Sequence, residues 1–278
     1  MDYRTISQAD VEVKAGYDAA MFENLRPYVV DAEALPAGVR IEGDFAQQLE
    51  ITLQPGEFVS TEPGAFVMST RGLRPDVDTG GCKQACLRFC CAGESLFRLN
   101  FENKTNQKQE VALAPPGPGT VIPIDLAMQS GIVIKSEAFL AALGRDWKLE
   151  IKPVQNLGTA MFGGQGIFLK EFHGRGLGFI SGVGFISTLQ LAQGEQVVVD
   201  TDVLLAFERT VSFDVEYVGS VWACCCGGLG FTNSILTGPG LVYLQSLPIQ
   251  KLARTLNQYV RFSGGGRKKY DSNDHGNY

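Results

Sequence analysis

The chain repeats one pattern three times, and this periodicity constrains its fold more than any other feature. The three passages align without a gap and read LQPGEFVSTEPGAFVM from Leu53, LAMQSGIVIKSEAFLA from Leu126 and LAQGEQVVVDTDVLLA from Leu191. Each has a turn-forming start, a β-branched or alternating middle, a polar triplet and an apolar run, which predicts a strand, a turn and a second strand. Because a fixed internal period is typical of repeat architectures, we expect three copies of one β unit.

Two further landmarks recur in the same order, and each is a small-residue turn followed by an apolar strand. The first reads AGESLF from Ala92, GGQGIF from Gly163 and GGLGFT from Gly227. The second reads GPGTVIPI from Gly117, GRGLGFIS from Gly174 and GPGLVYLQ from Gly238. The two landmarks lie further apart in the first unit, where the polar stretch at 102–107 predicts a lengthened hairpin or loop.

The rest of the sequence favours an all-β fold. Residues 210–217 alternate strictly between polar and apolar, as in a strand with one buried face, and 33 glycines and 12 prolines punctuate many short strands. We expect three repeats about a pseudo-threefold axis in residues 48–250, after an N-terminal extension over 1–47 with a short helix near Tyr17 to Leu25. A short C-terminal helix is expected over 251–262, where Leu252, Leu256 and Val260 have helical spacing, and a disordered tail over 263–278.

Charge, hydropathy and cysteine usage restrict the environment and the partners. A net charge of −6 argues against nucleic-acid binding, and no apolar run approaches the roughly 20 residues that span a bilayer, although peripheral membrane association is compatible with the sequence. The first eighteen residues lack the patterns of a signal peptide or a presequence. Seven cysteines, five of them in adjacent runs, suit a reducing compartment better than a disulfide framework. We expect an intracellular protein.

The ordered run of motifs resembles the family named for altered inheritance of mitochondria protein twenty-four, which also has uncharacterised bacterial members. The matching passages are 53–67, 92–97, 112–126, 158–169, 191–216 and 236–246. The resemblance implies a fold similar to the tryptophan RNA-binding attenuation protein, a double-stranded β-helix-like arrangement repeated about a pseudo-threefold axis. It implies no established catalytic activity, a link to mitochondrial organisation for eukaryotic members, and a mitochondrial location in a eukaryote, with the cytoplasm as the alternative. The chain departs from the family's Gly-Glu turns at Gln165 and Leu229, whereas Glu94 keeps the acid.

The cysteine runs are the candidate metal-binding residues. They are Cys90 and Cys91, which precede the first Gly-rich turn, and Cys224, Cys225 and Cys226, which precede the third. Three-fold closure would bring the two clusters near each other as a soft-metal or redox site. The favoured interpretation is that these positions are apolar core, because the second unit has Met161 and Phe162 there. Cys82, Cys86 and Cys90 also have helical spacing, and acylation of the clusters is a third hypothesis.

Other candidate residues are better explained by structure than by catalysis. His173 is predicted to end a strand before the Gly174 turn, and His275 lies in the tail. The glycines at 174–178 and 182–184 precede strands rather than a helix, so turns explain them better than a phosphate cradle. The acids Glu57 and Glu195 are expected to be solvated or to accept a local backbone hydrogen bond. The tail cluster Arg267-Lys268-Lys269 is expected to be solvated.

These patterns predict a non-enzymatic scaffold or interaction protein without a cofactor. We expect it to contact protein partners and to form a homo-oligomer or join a larger assembly. If the resemblance holds, it acts in mitochondrial organisation. The alternative is a small-ligand or metal-binding module that uses the cysteine-rich turns. An enzyme ranks third, because it would need a cleft that joins Glu94, His173 or a cysteine of low pKa.

Overall fold

The computed structural model describes residues 24–78, 98–127, 131–152, 169–217 and 232–263. Two strands come first, β1 (Leu25–Pro27) and β2 (Val39–Glu42). The last described element is helix α1 (Ile249–Ser263). Between β2 and α1 the described residues form eighteen strands, which fall into a first, a second and a third segment along the chain.

The first segment contains β3 (Gln48–Leu53), β4 (Phe58–Thr61), β5 (Phe66–Ser69), β6 (Pro75–Asp78), β7 (Arg98–Glu102) and β8 (Gln109–Leu113). The second segment contains β9 (Gly119–Asp125), β10 (Ile132–Lys135), β11 (Phe139–Leu143), β12 (Trp147–Lys152), β13 (Leu169–Gly174) and β14 (Leu177–Val183). The third segment contains β15 (Ile186–Leu191), β16 (Gln196–Asp200), β17 (Leu204–Glu208), β18 (Ser212–Tyr217), β19 (Thr232–Thr237) and β20 (Gly240–Gln245). Short 3-10 helices occupy Ala32–Ala34 and Ser136–Ala138.

All of the strand pairs in the described residues are antiparallel, so the prediction of an all-β fold is confirmed. In each segment the sixth strand pairs with the first and the third, and the fifth strand pairs with the second and the fourth. The predicted strand, turn and strand at Leu53, Leu126 and Leu191 correspond to β4 and β5, β10 and β11, and β16 and β17. The strand expected at 210–217 is β18.

Successive segments share sheets. Strand β4 of the first segment pairs with β11 of the second, and β10 of the second pairs with β17 of the third. The resulting sheets run β6-β7-β4-β11-β14-β9 and β1-β15-β20-β17-β10-β13-β12, while β2-β3-β8-β5 and β16-β19-β18 form two smaller sheets. Backbone hydrogen bonds therefore join each segment to the next.

The hydrophobic core follows the same rule, because each of its three clusters takes side chains from two segments. In the first cluster, Leu49 and Val59 of the first segment pack with Leu140 and Phe179 of the second. The second cluster adds side chains of the third segment, such as Leu205, to those of the second. Burial of aliphatic and aromatic surface is the dominant favourable term in folding, so neighbouring segments stabilise each other.

The prediction that the glycine turn at Gly117 corresponds to those at Gly174 and Gly238 is wrong. The strands after Gly174 and Gly238 are β14 and β20, which pair with β11 and β17. The strand after Gly117 is β9, which begins the second segment and pairs with β14, and it is β8 that pairs with β5. A glycine turn before an apolar strand is common to many hairpins, so the local pattern selected the wrong turn.

The terminal regions differ in part from the expectation. The predicted C-terminal helix is confirmed and spans Ile249–Ser263. The helix expected near Tyr17 to Leu25 lies outside the described residues except at its end, where Asn24 is helical and Leu25 begins strand β1. Strands β1 and β2 of the predicted extension pair with β15 and β3, so they belong to the sheets. The tail after residue 263 lies outside the described residues.

The polar stretch at 102–107 forms the predicted lengthened loop, and Asn103 organises it. Asn103 is fully buried between β7 and β8. Its Nδ2 donates to the carbonyl oxygens of Leu53 at 2.9 Å and Gln107 at 2.8 Å. Its Oδ1 accepts from the backbone N of Thr105 at 3.0 Å and from Thr105 Oγ1 at 2.8 Å. Every polar atom of the side chain thus has a partner.

Replacing Asn103 tests this loop. We expect Asn103→Ala to lower the free energy of unfolding by about 2–3 kcal/mol, because it leaves buried carbonyl and amide groups without partners. Denaturant unfolding of the full chain measures the change. The control is Asn106→Ala in the same loop, where the side chain is exposed, and an equal loss in both variants would contradict the role of Asn103.

Candidate interaction site

Strand β5 is the most unusual surface of the described residues, because it is apolar and exposed. Its side chains Phe66, Val67 and Met68 are 44%, 47% and 59% exposed. The aligned residues Phe139, Leu140 and Ala141 in β11 are 3%, 1% and 0% exposed, and Leu204, Leu205 and Ala206 in β17 are 1%, 1% and 0% exposed. The same sequence pattern is therefore exposed in the first segment and buried in the second and third.

The difference arises from strand pairing. Strand β11 is covered by β4 on one side, with Ala141 opposite Thr61, and β17 is covered by β10, with Ala206 opposite Ile134. Among the described strands, β5 ends its sheet and pairs with β8 alone. Its outer side leaves a row of backbone amide and carbonyl groups that a further strand can pair with. We call this side of β5 the β5 edge.

Strand β16 is a second open edge. It aligns with β4 and β10, the strands that cover β11 and β17. Within the described ranges, however, it ends the three-stranded sheet and pairs with β19 alone. Its Val198 is 55% exposed, whereas the aligned Ser60 and Val133 are 3% and 0% exposed. We call the unpaired side of β16 the β16 edge.

A groove of about 460 Å³ lies on the face of the sheet β2-β3-β8-β5, and Met68 of β5 is one of its lining residues. Met68 and Ala112 contribute its apolar lining, and Arg40, Glu50 and Glu110 contribute charge. Met68 lies opposite Ala112, whereas the residues opposite Ala141 and Ala206 are Phe179 and Tyr243. The large side chain of this pair therefore lies on the third strand in the first segment and on the sixth strand in the other two.

The charged wall of the groove is ordered by an ion pair. Arg40 Nη2 contacts Glu50 Oε2 at 2.6 Å across the β2-β3 pair. This hydrogen bond and the Glu50 carboxylate, with Glu42 and Glu110 nearby, raise the pKa of Arg40 above its ordinary value. The guanidinium therefore stays charged, and the wall presents both signs of charge to a ligand.

The β5 edge is held in place from within the protein. The ring of Phe66 stacks on the ring of the fully buried Phe101, with centroids 5.4 Å apart. The main chain of β5 pairs with β8 from Phe66 to Ser69. A strand that is fixed before it meets a partner loses little conformational freedom on binding.

Helix α1 contacts the turns that follow β10 and β16. Lys251 Nζ lies 2.6 Å from Asp200 Oδ2, and Arg254 Nη1 lies 2.8 Å from Asp202 Oδ2. Gln250 Nε2 donates to Glu137 Oε1 at 2.8 Å. These acids belong to the predicted polar triplets of the second and third passages. The helix therefore bridges two segments.

Glu137 links this contact to pH. Burial raises its pKa, but the Lys135 ammonium, 3.2 Å away, and hydrogen bonds from the backbone and from Gln250 lower it by more, so the net pKa is below the ordinary value. A carboxyl group whose pKa is lower in the folded state stabilises that state above its unfolded pKa. The contribution is lost as the pH falls through the folded pKa.

We therefore expect Glu137→Gln to destabilise the protein at pH 7, and the difference to disappear as the pH falls through the lowered pKa of Glu137 in the folded protein, where its carboxyl group becomes protonated. The expected difference at pH 7 is about 0.5–1 kcal/mol, because the ion pair is partly exposed. Thermal unfolding of both forms at a series of pH values measures it. Glu33→Gln, an exposed acid, is the control, and a difference that does not change with pH would contradict the assignment.

The predicted cysteine site lies outside the described residues. This applies to Cys90, Cys91, Cys224, Cys225 and Cys226, and also to Glu94 and to the Met161 and Phe162 counterparts. Cys82, Cys86 and Cys90, whose spacing is helical, also lie outside the described residues. Within the described ranges, no three His, Cys, Asp or Glu side chains lie close enough to hold a metal ion. The metal-binding alternative stays a prediction.

Native mass spectrometry tests that alternative. A metal or small molecule bound in whole-number stoichiometry to the purified full chain, and lost after chelation or exchange, is the expected result if the cysteine clusters form a site. Replacing Cys224, Cys225 and Cys226 with alanine would then remove the bound species. Bare protein in every preparation would count against the module.

The other predicted residues occupy structural positions. His173 lies in β13 beside Gly174, as expected, with Nε2 3.6 Å from Glu150 Oε2. Glu57 Oε2 accepts from the backbone N of Gln54 at 2.6 Å, and Glu195 Oε2 accepts from that of Ala192 at 2.7 Å. These are the expected local backbone hydrogen bonds of the Gly-Glu turns.

The glycine motif at 174–178 belongs to the hairpin between β13 and β14. Gly174 has a φ of +125°, which other residues rarely adopt. At Gly178 a Cβ atom would collide with the ring of Phe172. The motif thus serves chain reversal and close packing, and no helix follows it. The interpretation of this motif as a turn is confirmed.

Sequence reasoning missed the β5 edge and the groove. The apolar run at Phe66 resembles the runs at Phe139 and Leu204, so the pattern predicts a strand in all three places and does not distinguish an exposed strand from a buried one. One signal was present, since Ala112 stands where the other segments have Phe179 and Tyr243. The turn at Gly117 obscures this signal, because it makes β9 rather than β8 resemble the last strand of the first unit.

Fold and site together define an all-β protein whose antiparallel sheets join successive segments and end in an exposed apolar strand. The family described as Mitochondrial biogenesis AIM24 matches residues 39–247, so the chain belongs to that family, as its motifs had predicted. The chain is 28% identical over 221 residues to an uncharacterised protein of Streptococcus pyogenes serotype M6, which covers 76% of this chain and 86% of the relative.

A solved structure shows the same fold. The crystal structure of a Streptococcus pyogenes protein has a TM-score of 0.64 and 24% sequence identity to this chain, and the match covers 80% of this chain and 98% of the other. In the described part of the chain, no helix is long and apolar enough to cross a membrane.

Proposed function

We propose that this protein is a non-enzymatic interaction protein, a scaffold that presents the β5 edge to a protein partner. The observation that carries the proposal is the exposure of Phe66, Val67 and Met68, whose aligned residues are buried in the other segments. Monomeric soluble proteins usually blunt an outer strand with charge, proline or a covering element. An apolar outer strand that lacks these features is typical of a binding surface.

The recognition mode is strand addition. An extended segment of the partner pairs with the backbone of β5, and these hydrogen bonds supply affinity that is independent of sequence. Alternate side chains of the segment enter the groove, where Met68 and Ala112 favour an apolar group. Arg40, Glu50 and Glu110 select a polar or charged neighbour for it. The partner is a protein rather than a nucleic acid, because the net charge of −6 opposes a phosphate backbone.

The proposed architecture behind this edge is a set of three β units about a pseudo-threefold axis, similar to the tryptophan RNA-binding attenuation protein. The recurrence of the same strand pairings in three segments supports it. The matching contacts of β4 with β11 and of β10 with β17 support it at two of the three junctions. At the third junction the corresponding strands, β5 and β16, belong to separate sheets. In this scheme the units supply a rigid frame, and the function belongs to positions where one unit differs from the others.

The family description suggests a role related to mitochondrial biogenesis. We infer that a eukaryotic protein of this kind would organise a mitochondrial assembly by holding partners together, and that a bacterial one would do the same in the cytoplasm. A homo-oligomer or a larger assembly follows from a scaffold with open edges.

A charge placed on the β5 edge tests the proposal. We expect Val67→Lys to weaken partner binding by about tenfold or more, because a buried lysine would be desolvated in the strand pair. The free energy of unfolding should change by no more than about 0.5 kcal/mol, because the side chain is exposed. Val77→Lys on β6 is the matched control, since Val77 is a similarly exposed valine on another outer strand.

Photo-crosslinking in the cell of origin identifies what binds. A photoreactive amino acid replaces Met68 in the full chain, and in a second variant it replaces Val77. A discrete, saturable product at position 68 that is absent at position 77 and is lost with Val67→Lys is the expected result. The absence of any product at position 68, or the same products at both positions, would overturn the proposal.

A further inference from the structure

We propose that the partner strand of the β5 edge is β16 of a second copy of this chain, so that copies join head to tail. This deepens the proposed function, on which it rests, by naming the partner. The two open edges of one chain are the third strand of the first segment and the second strand of the third segment. Those are the same two positions that pair wherever one segment meets the next within the chain.

The two junctions inside the chain provide a template for the contact. Both use one register once the passages are aligned, since Ala141 lies opposite Thr61 and Ala206 lies opposite the aligned Ile134. Ala142 lies opposite Ser60, and Phe207 lies opposite Val133. Transferring this register to the open edges places Met68 opposite Val199 and Ser69 opposite Val198. The prediction is therefore specific to single residues.

The composition of the two edges fits such a pair. Four sheets in the described residues have eight outer strands, and β5 alone among them has neither a charged side chain nor a proline. Strand β16 has one charged residue, Asp200 at its end, and Lys251 of helix α1 already contacts that carboxylate. Neither edge therefore carries the features that usually prevent strand pairing.

The side chains at the proposed junction gain burial from it. Val198 is 55% exposed here, and the aligned Val133 is fully buried because β17 covers it. Val197 and Val199, which point to the core of the third segment, are 9% and 8% exposed, whereas the aligned Val59, Ile132, Thr61 and Ile134 are fully buried. In the part of the chain that the structure describes, no strand of a following segment pairs with β16 as β11 and β17 pair with β4 and β10. A second copy supplies such a strand.

The strand comes from a second copy because the chain's own β16 does not cover β5. Pairing within one chain has the advantage of a high effective concentration. In the folded chain, however, β5 and β16 belong to separate sheets of four and three strands. Because the two edges are different surfaces, the contact is heterologous and joins copies into a ring or an open chain.

Crosslinking between two single variants tests this inference. Ser69→Cys and Val198→Cys are made in separate full-length chains, one of them labelled with 15N, so a disulfide between positions 69 and 198 can form only between copies. Peptide mass spectrometry distinguishes it from bonds made by the native cysteines. We expect this disulfide to increase with protein concentration, and Val67→Lys to raise the dissociation constant of the assembly by about tenfold. Ser69→Cys mixed with Val77→Cys is the control.

Two results would overturn the inference. In a double variant with both cysteines, a 69–198 disulfide that forms only within one chain would mean that the edges close on themselves. The absence of the disulfide in both preparations, with a monomer at high concentration, would mean that the edges do not pair with each other. A photo-crosslink between position 68 and a different protein would then still support the proposed function. The absence of any photo-crosslink at position 68 would contradict both the proposed function and the head-to-tail pairing.

Discussion

Backbone pairing between segments is the constraint on which this structure depends. Strands β4 and β10 each complete a sheet that belongs to the following segment, by pairing with β11 and β17. The core obeys the same arrangement, since Leu140 and Phe179 of the second segment pack with Leu49 of the first. A buried backbone amide or carbonyl group must find a hydrogen-bond partner, so a segment cut from its neighbours would expose both unpaired strands and apolar surface. The described sheets are therefore stable only together.

Pairing between successive segments leaves one strand of the first segment and one strand of the third without a partner among the described strands. In the described residues the three segments have two strand-paired junctions, and the strands that would form a third are β5 and β16. Their side chains keep the apolar character of their buried counterparts, as Val67 and Val198 show. A groove lined in part by Met68 of β5 and a charged wall around Arg40 distinguish β5 from the strands of the internal junctions. The repeated strand pairs thus form the rigid part of the protein, and the strands that lack such a pair, β5 and β16, form its exposed apolar surfaces.

Helix α1 joins the second and third segments through side-chain contacts rather than through backbone pairing. Its side chains contact Glu137 of the second segment and Asp200 and Asp202 of the third. These are ionic and polar contacts at the surface, so they are individually weak and respond to pH and salt, unlike the strand pairs. The frame and the helix therefore have different sensitivities to the solvent.

The sequence by itself determined the fold class, the positions of most strands, the C-terminal helix and the family. Alternation and turn residues act locally, so β18 at 212–217 and the loop around Asn103 follow from short stretches of chain. It did not determine which glycine turn precedes the sixth strand of the first segment, because Gly117 and Gly174 look alike locally and differ only in what their strands pair with. Tertiary structure alone decided that Phe66, Val67 and Met68 are exposed while matching residues are buried. Burial depends on which strand lies alongside, and that partner comes from a distant part of the chain.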